Sequence, residues 1–127
     1  MNKTNQSIQS QISYQLWCKC MTLGERTGCH QLPERSFFYK GYQLPICARC
    51  TGVLIGYLLA VPGFIVFGFH SVLSIFGCIC MLTDWVIQAC KIKSSTNKRR
   101  LITGILGGYG IMTLQIGLIK KLIFMLK

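Results

Sequence analysis

From Cys50 to Thr83 the chain carries no Lys, Arg, Asp or Glu, and from Leu101 to Ile119 it again carries none. A helix crosses the hydrocarbon core of a bilayer in about 20 residues, so the first run is too long for one crossing. Residues 48–90 predict two spans, about 48–68 and 71–90, joined by a tight turn near Gly68–Ser71. The second run predicts a third span, about 101–119, extending to Leu126 with a tilt. Pro62 falls inside the first span, where it is expected to kink it.

The polar segments read differently. Residues 1–17 place Ile8, Ile12 and Leu16 at four-residue spacing, the pattern of a short surface helix with Ser7 as a lone N-cap; disorder is the other reading. Residues 18–46 are broken by Gly24, Gly28, Pro33, Gly41 and Pro45 and read as a compact loop region. It is too short for its own core and needs a metal, a disulfide or the membrane helices to order it. The expected fold is therefore an all-α membrane protein: a polar N-terminal segment 1–17, a Cys/His loop region 18–46, and a three-span bundle 47–127.

Composition agrees. Of the 127 residues 51% are hydrophobic and 13% charged, with a mean hydropathy of +0.45, whereas soluble domains carry about 25% charged residues. The first 17 residues lack the apolar core of a signal peptide, and the eight cysteines are expected to be mostly reduced. The net charge is +11, with Glu25, Glu34 and Asp84 as the acidic residues. No aromatic-interleaved basic motif accompanies the charge, so nucleic acid is not an expected partner. The cations instead cluster at the ends of apolar runs, as orientation signals and anionic-lipid contacts do. With three spans, eleven Lys and Arg fall on the side of the N-terminus and the 91–100 loop, and three (Lys120, Lys121, Lys127) on the other. This predicts a plasma-membrane protein with a cytoplasmic N-terminus and an outer C-terminus.

Two spans begin alike, "TGVLIGY" at Thr51–Tyr57 and "TGILGGY" at Thr103–Tyr109, each shortly after an arginine. Gly52/Gly56 and Gly104/Gly108 are small-xxx-small pairs that let helices approach closely. The two helix N-termini also turn free N–H groups and positive dipole ends toward one face, a combination suited to an anion.

Several residues there carry chemistry. Cys47 and Cys50 form a C-x-x-C at the entry of the first span, with Cys29 and His30 upstream. Tetrahedral zinc takes four Cys or His ligands, and a C-x-x-C turn supplies two. Cys29 and His30 are adjacent and point in different directions, so one of them is the expected direct ligand; Cys18 and Cys20 are alternatives. A second reading is thiol–disulfide exchange, since a Cys at a helix N-terminus beside Arg49 is a better nucleophile. Asp84 is an acidic residue within a span, a costly placement and a functional candidate. Gln88 lies on its face at i+4. Its expected partners are the arginines that start spans one and three. Thr96 or Asn97 is expected to cap span three, and Asn97 and Arg100 are candidates to bind an anion. His70 reads as an interface residue, Cys78 and Cys80 as packing, and Trp17 and Trp85 as interface anchors or core.

The stretches "CHQLPERSFF", "G-x-x-LPICARCTG-x-x-x-G", "D-x-x-x-Q" and "STN-x-x-R-x-x-TG", in this order over about residues 29–108, resemble the small bacterial membrane proteins of domain-of-unknown-function family 2085. The resemblance marks Cys29, His30, Gln31, Pro33, Arg35, Ser36, Cys47, Arg49, Cys50, Gly52, Asp84, Gln88, Ser95, Thr96, Asn97, Arg100 and Gly104. Trp85 departs from it, standing where the family is expected to have Gly. The family carries no activity with it, but in the three-span topology every marked residue falls near one face of the membrane.

The sequence thus predicts a metal site, zinc-like, on Cys29, His30, Cys47 and Cys50. Beside it is a basic pocket of Arg35, Arg49, Asp84, Gln88, Asn97 and Arg100 for an anionic lipid or another small anionic or amphiphilic ligand. Asp84, Cys50 and Arg100 are the candidates should the site be catalytic. The alternatives are a thiol redox protein on Cys47 and Cys50, or a structural or assembly subunit. With so few helices, a homo-oligomer or a larger membrane complex is expected.

Overall fold

The computed structural model describes residues 3–127, with side chains from Ile8 onward, as two units, Met1–Cys47 and Ala48–Lys127. The first unit opens with helix α1, Lys3–Arg26. Ser7 falls inside this helix rather than at its start; its side chain, like that of Lys3, lies outside the described residues. The helix therefore runs through Cys18 and Cys20, which the sequence reading assigned to a loop. Trp17, Met21 and Gly24 recur at helical spacing and supply the reason: this face packs on the strand that follows. The helix stops where Gly28 takes a left-handed φ of 81° and donates its N–H to the Glu25 carbonyl at 2.9 Å.

A 3₁₀ turn over Pro33–Arg35 leads into a hairpin of β1, Ser36–Tyr39, and β2, Tyr42–Cys47. This hairpin stands where the sequence reads a loop region over residues 18–46. Lys40 and Gly41 both adopt left-handed φ, 49° and 84°, as a two-residue turn of matching twist requires. Pairing runs Tyr39↔Tyr42 and Phe38↔Gln43, then is interrupted before Ser36↔Cys47. The interruption falls beside Pro45, which has no N–H to give a ladder.

Polar staples hold this small unit together. Gln31, itself left-handed at φ 47°, donates from Nε2 to the Met21 and Pro45 carbonyls, each at 2.6 Å. Its own carbonyl accepts from Gln43 Nε2 at 2.7 Å, and Trp17 Nε1 donates to the Gln43 carbonyl at 2.7 Å. Gly24 allows this meeting, because a Cβ there would collide with the Pro45 carbonyl and Gln31.

The second unit is three helices: α2, Ala48–Phe67; α3, Ser71–Ala89; and α4, Asn97–Leu126. All three are long and apolar enough to cross a membrane. α2 and α3 match the predicted spans within a residue or so, and α2 continues through Pro62. α4 is 30 residues, about 45 Å at 1.5 Å per residue, so it takes in both the predicted span and its extension to Leu126. The large apolar side chains mostly face outward, with Leu58, Ile65 and Val72 at least three-quarters exposed. In water that would be untenable; in hydrocarbon it costs nothing, and the close contacts fall to small and polar residues.

α4 packs against both α2 and α3. Toward α2 the two repeated motifs meet: Gly52 stands against Gly104, and Gly56 against Ile105–Tyr109, so close that an added Cβ would strike the Leu101 and Ile105 carbonyls. Toward α3, Gly77 rests on the Leu106 carbonyl and Gly110 on that of Ser74. Ser74 and Thr113, both almost fully buried, join their hydroxyls at 2.7 Å across this second seam.

Candidate functional site

The first unit brings Cys29 to Cys47. Gly28 ends α1 and releases Cys29 into an extended turn, while Cys47 is the last residue of β2. The two sulfurs lie within 4.8 Å, and the Cys47 amide N–H donates to Cys29 Sγ at 3.1 Å. Cys29 is buried; His30, the next residue, is exposed, as is Arg35 on the 3₁₀ turn. Cys50 follows three residues after Cys47, in the first turn of α2. None of the eight cysteines is in a disulfide. Cys18 and Cys20 lie on α1, two apart and so on different faces of it.

The second unit builds an ion network where α2 and α4 start and α3 ends. Asp84, 2% exposed, accepts from Arg49 Nη2 at its Oδ2, 2.8 Å, and pairs with Arg99 Nε at its Oδ1, 2.8 Å. Gln88 Nε2 donates to the same Oδ2 at 2.6 Å, and Ser95 Oγ to Oδ1 at 3.4 Å. Gln88 then accepts at Oε1 from Arg100 Nε, 3.2 Å, and Arg100 Nη1 donates to Asn97 Oδ1 at 3.4 Å. Arg100 is itself buried. Five of the six residues expected to bind a ligand (Arg49, Asp84, Gln88, Asn97 and Arg100) thus share one hydrogen-bonded chain; the sixth, Arg35, belongs to the first unit.

Local structure explains the convergence. Thr96, not Asn97, caps α4: its Oγ1 accepts from the Arg99 N–H at 3.3 Å. Asn97, the first residue of the helix, meets Arg100 one turn on. Arg99 was not singled out by sequence, where the Lys98–Arg100 run reads as an orientation signal. The signal that points to it is stoichiometric: a buried carboxylate has two oxygens, and Arg49 satisfies one. Trp85, the departure from the motif, is half exposed on α3 and turned away from its buried neighbour. His70 caps α3 through its backbone, its carbonyl accepting from Ser74 Oγ at 2.9 Å.

Three apolar spans with a polar, ion-paired end and a thiol-bearing segment before them define a small integral membrane protein of the helical class. The chain belongs to the family described as predicted membrane protein, DUF2085, whose model matches residues 29–114. An uncharacterised protein of Methanocaldococcus jannaschii is 34% identical over 94 residues, covering 66% of this chain and 58% of the relative. An uncharacterised protein of Methanothermobacter thermautotrophicus is 31% identical over 93 residues, covering 68% of this chain and 82% of the relative. The chain thus spans little more than half the length of the first of these. Both relatives are archaeal, so they lend no support to the bacterial family expected from sequence. No solved structure matches the chain.

Proposed function

We propose that Cys29, Cys47 and Cys50 hold a zinc-like metal ion, and that this ion orders the start of α2 so that Arg49 and its network receive an anionic or amphiphilic ligand. The observation that carries the reading is the Cys29–Cys47 pair with its N–H···S bond. Two sulfurs sharing one tetrahedral ion at about 2.3 Å each lie about 3.8 Å apart, within the separation observed for this pair. C-x-x-C spacing adds the third thiolate, and His30 is the nearest further ligand in sequence. Soft thiolates select zinc, copper(I) or iron–sulfur chemistry over magnesium or calcium. Arg49 sits inside the C-x-x-C itself, so whatever fixes that turn fixes the guanidinium that meets Asp84.

Purified protein is expected to hold about one metal per chain, lost on Cys47→Ser. Elemental analysis giving less than about a fifth of an ion per chain, unchanged by the substitution, would remove the metal. Reversible oxidation of Cys47 and Cys50 in the same metal-free preparation, read by mass-spectrometric alkylation, would favour thiol exchange instead.

At the network, Arg49, Arg99 and Arg100 stand against Asp84, three cations to one anion. A ligand phosphate or carboxylate is the natural complement to that excess. Arg35 offers a further exposed cation on the first unit. The excess of Lys and Arg supports a cytoplasmic location for this end in a plasma-membrane protein, eleven residues against three. A reporter fused after Lys127 is therefore expected to read out as external, and a cytoplasmic readout reverses the orientation.

A further inference from the structure

The opposite end of the bundle carries a second feature, which the reading above does not use. The α2–α3 turn is level with Gly117 of α4, because the Phe69 ring lies directly on that glycine where a Cβ would strike it. α4 continues to Leu126, so about two more turns project past the turn that joins its neighbours. Those turns are not built for water: Phe124 is 83% exposed and Leu126 88%. They also carry Lys120, Lys121 and Lys127, while no Asp or Glu follows Asp84 anywhere in the chain.

Between the projecting turns and the α2–α3 turn lies an open groove of about 680 Å³. Its wall is aromatic, Phe64 and Phe69 with ring centroids 6.4 Å apart, its floor is Gly117, and the three lysines stand at its rim. Lys120 Nζ is held 5.9 Å from the Phe64 ring centroid, so the charge is positioned over the groove. An apolar wall with a cationic rim, at the depth where an over-long helix leaves the hydrocarbon, matches one occupant in both halves: acyl chain on the aromatics and phosphate on the lysines.

We propose that this groove is a binding site for an anionic phospholipid. The site takes the lipid's phosphate between Lys120 and Lys121 and the upper part of a chain against Phe64, Phe69 and Gly117. It is independent of the thiols and of the Asp84 network.

The test is native mass spectrometry of the full-length, detergent-purified protein titrated with phosphatidylglycerol, with phosphatidylcholine of the same chains, and with inorganic phosphate as competitor. Phosphatidylglycerol is expected to bind at one per chain and more tightly than phosphatidylcholine. Lys120→Gln with Lys121→Gln is expected to weaken it roughly 25-fold, about fivefold per lysine. Gly117→Leu keeps every charge and drives the Phe69 ring from its place in the wall, and is expected to weaken it as well. Lys91→Gln with Lys93→Gln, in the loop at the other end, is expected to change nothing. Equal binding of the two lipids, or equal loss in the distant lysine pair, overturns the proposal. So does displacement by millimolar phosphate, which would make this a free-anion site. Should Gly117→Leu fail to give a monodisperse protein, the two lysine pairs decide the matter between them.

Discussion

Asp84→Asn is expected to lower the stability of the purified protein by about 3 kcal/mol, the scale on which breaking a buried ion pair from one side destabilises. The carboxylate is 2% exposed and holds two guanidinium groups, one amide and one hydroxyl. Asparagine keeps the shape and removes the charge, leaving Arg49 and Arg99 facing each other across a neutral group. The damage is therefore electrostatic, and removing a cation should relieve part of it. Arg99 is 36% exposed and can turn to water, so Arg99→Gln alone is expected to cost less. The double variant Asp84→Asn, Arg99→Gln should be more stable than the sum of the two changes predicts. Thermal unfolding in detergent, followed by size exclusion, reads all three. Asp84→Asn within 0.5 kcal/mol of the parent, or strict additivity in the double variant, would show the network to be ornamental.

The second large effect lies at the helix seam. Gly104→Leu is expected to disrupt the α2–α4 packing, at a cost of about 3 kcal/mol or more, because the intruding Cβ meets backbone and not a side chain that can turn aside. It would run into the Arg49 carbonyl and come within 3.2 Å of the Gly52 Cα. The same substitution displaces the turn that carries Arg49, so ligand or metal retention should fall with stability. Ile102→Leu, at a position 58% exposed on the same helix, is the control and is expected to be neutral. Comparable melting of Gly104→Leu and Ile102→Leu would mean that α2 and α4 do not meet where the repeated motifs put them.

The two effects share a cause. The repeated T-G-x-L-x-G-Y motif sets α2 and α4 side by side with Gly52 against Gly104. That register brings Arg49 and Arg99 to one level, and the return of α3 brings Asp84 to the same level from the other direction. A charge in a span is tolerable only when neutralised, so the helix contact and the ion pairs require each other. Loss of either is expected to report on both.

The sequence by itself determined the candidate spans, since an uncharged run of about 20 residues or more is long and apolar enough to cross a bilayer as a helix. It placed Arg49, Asp84 and Arg100 toward one end of the three helices, because α2 and α4 start where α3 ends. The small-xxx-small repeats gave the faces by which α2 and α4 approach. Tertiary structure decided the rest. The continuation of α1 through Cys18 and Cys20 depends on its Trp17–Met21–Gly24 face finding β2, and local breakers alone point the other way. The hairpin depends on Lys40 accepting a left-handed φ beside Gly41, which composition does not announce. The choice of Cys29 over His30 beside Cys47 is made by the turn at Gly28 and by one amide hydrogen bond. Arg99, hidden in a basic run, gained its role only when Thr96 took the cap and set the rotation of α4. Helical periodicity gives the facing of a residue to within a turn; which of two adjacent arginines reaches a buried carboxylate is fixed by the cap and by the packing around it.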